Sequence, residues 1–178
     1  MKTKVDADGV TGAVAEVELI VGLPIDQVWG LVTDVSRIGE WSPECVFAAW
    51  RPAQGDVPHA GARFDARNEY PDGFTAAVEC VVTEAVRPSV FEWVVLDDDR
   101  DVARPGSIWR YELECDDQGR GTRVRHRFTH GPGLTGLREF IQNHPDHAEA
   151  SLDGRLAQLR GNMTATLDAM MGPRGTKR

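Results

Sequence analysis

The sequence is poor in cysteine and has no long apolar run. Its cysteines, Cys45, Cys80 and Cys115, are odd in number and far apart, and no Cys-x-x-Cys pair occurs. This argues against a disulfide framework and a structural zinc site, and it favours a reduced, cytoplasmic protein. No window approaches the roughly 18 uncharged apolar residues that cross a bilayer, and the N-terminus lacks the apolar segment of a signal peptide. We therefore expect no membrane insertion.

Basic charge is also in short supply. The chain has 28 acidic residues against 20 lysines and arginines, a net charge of −8. A surface of that sign repels a phosphate backbone, so we expect no nucleic-acid partner. The 178 residues suit one compact core, and the 41% of hydrophobic residues is typical of globular proteins. We predict one domain over residues 13–171, with a flexible leader at 1–12 and a flexible tail at 172–178.

Apolar and polar residues alternate along most of the chain between residues 14 and 129. In the first such segment Glu16 and Glu18 fall on one face, and Val17 and Leu19 fall on the other. Alternation of this kind is typical of strands with one face in water. The pattern predicts strands at 14–21, 45–50, 62–70, 74–86, 91–95, 109–115 and 122–129.

Helical spacing of apolar residues occurs after the first strand and again near the C-terminus. Two short helices are predicted between residues 24 and 39, a further short helix at 134–143, and a long one from about 146 to 171. Gly154 and Gly161 weaken the long helix by about 1 kcal/mol each, so it needs a surface to lie on. The predicted fold class is α+β, a curved antiparallel sheet wrapped around the long C-terminal helix.

Strand parity places several aromatic and polar side chains on the concave face of this sheet. A cavity lined by apolar and aromatic groups with a few polar tips is the usual form of a small-molecule site. The same side chains could instead fill a solid core. The candidate ligand-binding residues are Asn68, Tyr70, Trp93, Trp109, Tyr111, His126, Phe128 and Met163.

His126 is the candidate with the most chemistry. An imidazole with a pKa of about 6.5 can act as a general base or donate to a ligand carbonyl. The alternative is a buried neutral histidine that hydrogen-bonds locally. His126 and His130 are four apart on a strand, hence about 13 Å apart, which is too far to share a metal ion. We expect no metal and no cofactor.

The motifs around the short helices suggest a family. Pro24-Ile-Asp-Gln-Val-Trp-Gly-Leu-Val-Thr-Asp34, then Trp41-Ser-Pro43 and Gly61-Ala-Arg-Phe64, resemble the START-like (SRPBCC) superfamily, and within it the polyketide cyclase/dehydrase and lipid-transport group. The resemblance implies the helix-grip fold, with seven strands gripping the C-terminal helix around a deep apolar cavity. The segment 134–146 looks longer than the usual passage from the last strand to the last helix.

Three functions remain open at this point. The first is binding of a hydrophobic or aromatic small molecule, lipid or polyketide-like, between the sheet and the C-terminal helix. The second, which the resemblance implies, is a cyclase or dehydratase in which His126 or Tyr111 moves a proton while the cavity folds a poly-β-ketone chain. The third is a partner-binding module with a collapsed groove. The sequence leaves the ligand, enzymatic activity and homodimerisation undecided.

Overall fold

The computed structural model describes residues 9–52 and 58–172. The predicted leader 1–12 and tail 172–178 therefore lie mostly outside the described residues; within them, Val10 is buried. The elements follow in the order β1 (Val14–Val21), α1 (Ile25–Thr33), a 3-10 helix (Val35–Glu40), β2 (Cys45–Trp50), β3 (Arg63–Glu69), β4 (Thr75–Val86), β5 (Val90–Val95), β6 (Ser107–Cys115), β7 (Thr122–His130), α2 (Gly136–Asn143), a short 3-10 helix (Pro145–His147) and α3 (Ala148–Met171).

The strands of the described residues form one seven-stranded sheet in the order β1-β7-β6-β5-β4-β3-β2. Every neighbouring pair is antiparallel, including β1 with β7, which brings the first strand against the last. The predicted α+β helix-grip fold is thus confirmed. Across the described residues, no helix combines the length and the apolar composition that a membrane crossing needs.

The register of β6 and β7 decides which side chains face the helix. Tyr111 lies opposite His126, and Leu113 lies opposite Val124, all of them on the buried face. The intervening residues carry charge, and Arg110 contacts Glu84, Glu92 and Glu112 at 2.6, 2.9 and 2.8 Å on the other face. One face of the sheet therefore carries ion-paired side chains in contact with water, and the other face packs into the core.

Helix α3 covers the concave face with one buried stripe. Its buried residues recur every three or four positions, as one side of an α-helix requires: Leu159, Met163, Thr166, Leu167 and Met170. Leu167 and Met170 share a core cluster with Trp29 of α1 and Phe91 and Tyr111 of the sheet. The short and long helices thus pack together on the same side of the sheet.

Replacing Gly154 or Gly161 with alanine should stabilise the protein by about 1 kcal/mol each, because alanine loses less backbone entropy in a helix. A Cβ at either position would meet no atom within 4 Å. For a chain of this size that free energy raises the melting temperature by about 2–4 °C, measurable by thermal unfolding. The control is Gly39→Ala, whose Cβ would clash with the carbonyl oxygen of Val46 and should destabilise. Unchanged melting in both α3 variants would contradict the prediction.

Candidate functional site

A cavity of about 120 Å³ lies between the concave face of the sheet, α3 and the 3-10 helix Val35–Glu40. Strands β3 to β6 contribute alternate residues to it, because every second side chain of a strand points to the same face. Helix α3 contributes residues from its buried stripe. The apolar walls include Leu31, Val35, Ile38, Trp41, Phe64, Val78, Phe91, Trp93, Trp109, Leu159 and Met163.

Six of the eight residues predicted to bind a ligand line this cavity: Asn68, Trp93, Trp109, Tyr111, His126 and Met163. Phe128 does not, because its ring is buried against Trp109, Leu159 and Met163. Tyr70 also lies outside the lining. Strand β3 ends at Glu69, and Tyr70 stacks on Phe74 in the following turn. Tyr70 therefore lies one residue beyond the strand. A ligand contact by any of the eight residues remains a prediction.

The aromatic residues form one continuous wall. Trp93 and Trp109 are directly opposite on β5 and β6 and stack with ring centroids 6.2 Å apart and planes 5° apart. Tyr111 and His126 are opposite on β6 and β7 and stack at 4.0 Å. Directly opposed side chains in an antiparallel pair have Cβ atoms about 4.5–5.5 Å apart, which brings such rings into contact. The wall offers a flat apolar surface to a planar ligand.

His126 is the unusual member of that wall. It is 4% exposed, and neither ring nitrogen has a hydrogen-bond partner among the described residues. Burial lowers the pKa of His126 to about 3, so the imidazole is neutral near pH 7 and carries one N–H donor and one acceptor nitrogen. Most buried polar groups in folded proteins are paired. An unpaired imidazole on a cavity wall is a site where a ligand can supply the partner.

Burial keeps the two thiols and the Tyr111 phenol of the cavity in their neutral forms. Burial raises the pKa of the Cys45 thiol to about 11 and the pKa of Cys80 well above its usual value. Burial also raises the pKa of the Tyr111 hydroxyl. Protonated thiols are poor nucleophiles. Within residues 9–52 and 58–172, no group of three or more His, Cys, Asp or Glu side chains is placed to hold a metal ion.

Polar residues that the sequence analysis missed line a further part of the cavity. Glu44, just before β2, and Asn162 of α3 both contribute to the lining, and the Asn162 amide donates to Glu44 Oε2 at 3.0 Å. The sequence contained a signal for Asn162, because it stands three residues after Leu159 and four before Thr166, within the stripe that faces the sheet. No pattern of this kind marks Glu44.

Comparison with known proteins places this geometry in context. Residues 13–168 match the family described as polyketide cyclase/dehydrase and lipid transport. A similar solved structure is the polyketide cyclase-like protein Cgl2372 from Corynebacterium glutamicum, with 28% identity over 89% of this chain and 88% of that chain and a TM-score of 0.61. None of the curated proteins matches the sequence.

Two di-domain ARO/CYC proteins share the fold at low identity. StfQ from the steffimycin pathway is 15% identical over 89% of this chain and 49% of its own, with a TM-score of 0.66. BexL from the BE-7585A pathway is 12% identical over 97% of this chain and 52% of its own, with a TM-score of 0.69. This chain spans about half of each, and the likeness establishes the fold alone.

Proposed function

Since the chain belongs to the polyketide cyclase/dehydrase and lipid-transport family, we propose that its cavity binds a hydrophobic aromatic small molecule with a hydrogen-bonding group directed at His126. The observation that carries the proposal is the buried, neutral imidazole without a partner among the described residues. The stacked Trp93 and Trp109 supply a surface for an aromatic ring. A ligand hydroxyl or carbonyl supplies the missing hydrogen bond, which orients the ring.

The volume of the cavity supports a ligand of modest size. An apolar cavity of about 150 Å³ in another protein holds benzene, so about 120 Å³ suits a ring-sized group without rearrangement. The presence of this space favours ligand binding over a collapsed groove that binds a protein partner. A lipid or polyketide-like ligand longer than that requires the cavity to widen.

Cyclase or dehydratase chemistry is the second candidate, favoured by the 4.0 Å stack of His126 on Tyr111 at the cavity wall. Both groups can carry a proton, and two ARO/CYC proteins share the fold. A general base works best when its pKa lies near the working pH, however. A pKa of about 3 makes His126 a weak base, because burial disfavours its charged form and no described residue hydrogen-bonds to it. Binding is therefore the better supported function.

A matched ligand pair tests the role of His126. We expect phenol to bind about 2- to 12-fold more tightly than benzene, because one neutral hydrogen bond contributes about 0.5–1.5 kcal/mol. The variant His126→Phe keeps an aromatic ring in the stack but removes the hydrogen bond, so this preference should vanish. Both affinities are measured by titration calorimetry.

The control for this experiment is Met163→Leu, a change of similar volume in the same cavity. It should preserve the preference for phenol. Equal preferences in wild type and His126→Phe would show that His126 does not contact the ligand hydroxyl. Failure of both compounds to bind wild type would overturn the proposed function itself.

A further inference from the structure

A charged cluster joins the start of β2 to α3 at the rim of the cavity. Arg155 donates through Nη2 to Glu44 Oε1 at 2.6 Å and through Nη1 to Oε2 at 2.7 Å. The side chains of Arg155 and Glu44 are 22% and 13% exposed, so most of the pair is withdrawn from water. A bidentate guanidinium–carboxylate pair in such surroundings is both strong and geometrically specific.

The cluster closes one side of the proposed ligand site. Glu44 and Asn162 face the cavity, whereas Arg155 lies behind Glu44 and extends over the ring of Tyr70, 5.5 Å from its centroid. The Glu44 carboxylate accepts from Arg155 and Asn162, which stand about two turns apart on one side of α3. This carboxylate thus ties the turn before β2 to the helix that covers the sheet.

The turn that carries Glu44 leads into an irregular strand pairing. The pairing of β2 with β3 shifts register between Cys45 and Phe47. The turn itself is held internally, because the Ser42 hydroxyl oxygen accepts from the backbone N–H groups of Glu44 and Cys45 at 3.2 and 2.9 Å. Its backbone stays on the sheet, because Glu69 N–H donates to the Glu44 carbonyl at 2.9 Å. The Glu44 side chain joins it to α3 through the ion pair, so opening of the pair frees this side of the cavity from the helix.

The closed cavity is small compared with common ligand sites. Pockets that bury drug-sized ligands measure about 300–1,000 Å³, whereas this cavity measures about 120 Å³. We propose that the Glu44–Arg155 ion pair sets the upper size limit of the ligand. With the pair closed, the site takes one ring. A larger ligand binds only to the open form, and its apparent affinity falls by the fraction of molecules that are open. This inference rests on the proposed function.

The test compares a small and a large ligand in wild type and in the double variant Glu44→Gln/Arg155→Met. Changing both partners avoids a single buried charge without its partner. The dissociation constant of the three-ring compound 1-aminoanthracene should fall by about tenfold or more, because the ion pair that favours the closed form has been removed. The dissociation constant of one-ring phenol should change by less than about threefold, since it already fits the closed form. Fluorescence titration measures both.

The matched control is Glu16→Gln/Arg127→Met, which removes an ion pair on the opposite face of the sheet with partners 33% and 48% exposed. It should leave both affinities unchanged. The conservative variant Arg155→Lys keeps the charge but loses the bidentate geometry, so its affinity for 1-aminoanthracene should be intermediate, and it serves if the double variant does not fold.

The outcomes separate this inference from the proposed function. Binding of phenol without a selective gain for 1-aminoanthracene in the double variant or in Arg155→Lys would overturn the size limit and leave the proposed function standing. An equal gain for both compounds would also overturn it, because a generally loosened cavity does not discriminate by size. If neither compound bound wild type or any variant, both the size limit and the proposed function would be overturned.

Discussion

Lowering the pH from 7 to 5 should destabilise the protein by about 2 kcal/mol through His126 alone. The pKa of His126 is about 3 in the folded protein, against about 6.5 in an unfolded chain. Between these values the unfolded chain binds a proton that the folded protein does not bind, so stability falls as pH falls. Each pH unit below 6.5 costs about 1.4 kcal/mol, which continues until the pH approaches 3.

Denaturant unfolding of wild type and His126→Phe at pH 7, 6 and 5 measures this contribution. The surface carboxylates of the two proteins are the same, so their loss of stability in acid cancels in the difference. Glu18 and Glu112, whose pKa values are lowered by hydrogen bonds from arginines, are examples. The stability difference between the variant and wild type should shift by about 2 kcal/mol between pH 7 and 5. If the unfolding free energies of the two proteins fell in parallel with pH, protonation of His126 would not destabilise the folded protein. His126 would then not be buried as the structure describes.

The sequence was sufficient for the fold because the strands have one charged and one apolar face. Alternation along β6 and β7 predicts that Trp109, Tyr111 and His126 lie on one face of the sheet, and the register of the strands confirms it. Apolar–polar alternation with a period of two identifies the buried face of a strand wherever a sheet has water on one side and a helix on the other. Strand β3 ends one residue before Tyr70, whose ring stacks on Phe74, so a ligand contact by Tyr70 stays a prediction.

Two features of the site could not be predicted from the sequence. One is a contact between residues far apart in the chain, and the other is the volume of the cavity. Glu44 and Arg155 are 111 residues apart, and no local pattern indicates that this turn meets this helix. Periodicity shows which residues face the interior, but the space left between them depends on how closely α3 approaches the sheet. Neither the cavity of about 120 Å³ nor the missing hydrogen bonds of His126 could be deduced from spacing.

Replacing Leu167 with alanine should cost about 2–5 kcal/mol of folding free energy, the range for deleting a fully buried leucine side chain. Leu167 is 0% exposed and lies in the core cluster with Trp29, Phe91 and Tyr111, where α3 meets both the sheet and α1. Two glycines weaken this helix, so its position depends on packing of the buried stripe rather than on helix propensity.

Thermal unfolding should show a fall in melting temperature of about 4–20 °C for Leu167→Ala, since 1 kcal/mol corresponds to about 2–4 °C at this chain length. The matched control is Leu134→Ala, because Leu134 is 49% exposed and its truncation should change the stability by less than about 0.5 kcal/mol. Leu167 lies outside the lining of the cavity, so the variant that remains folded should retain its preference for phenol over benzene. A loss below about 1 kcal/mol would mean that this stripe does not hold α3 on the sheet, and a cavity enclosed between them would then be untenable.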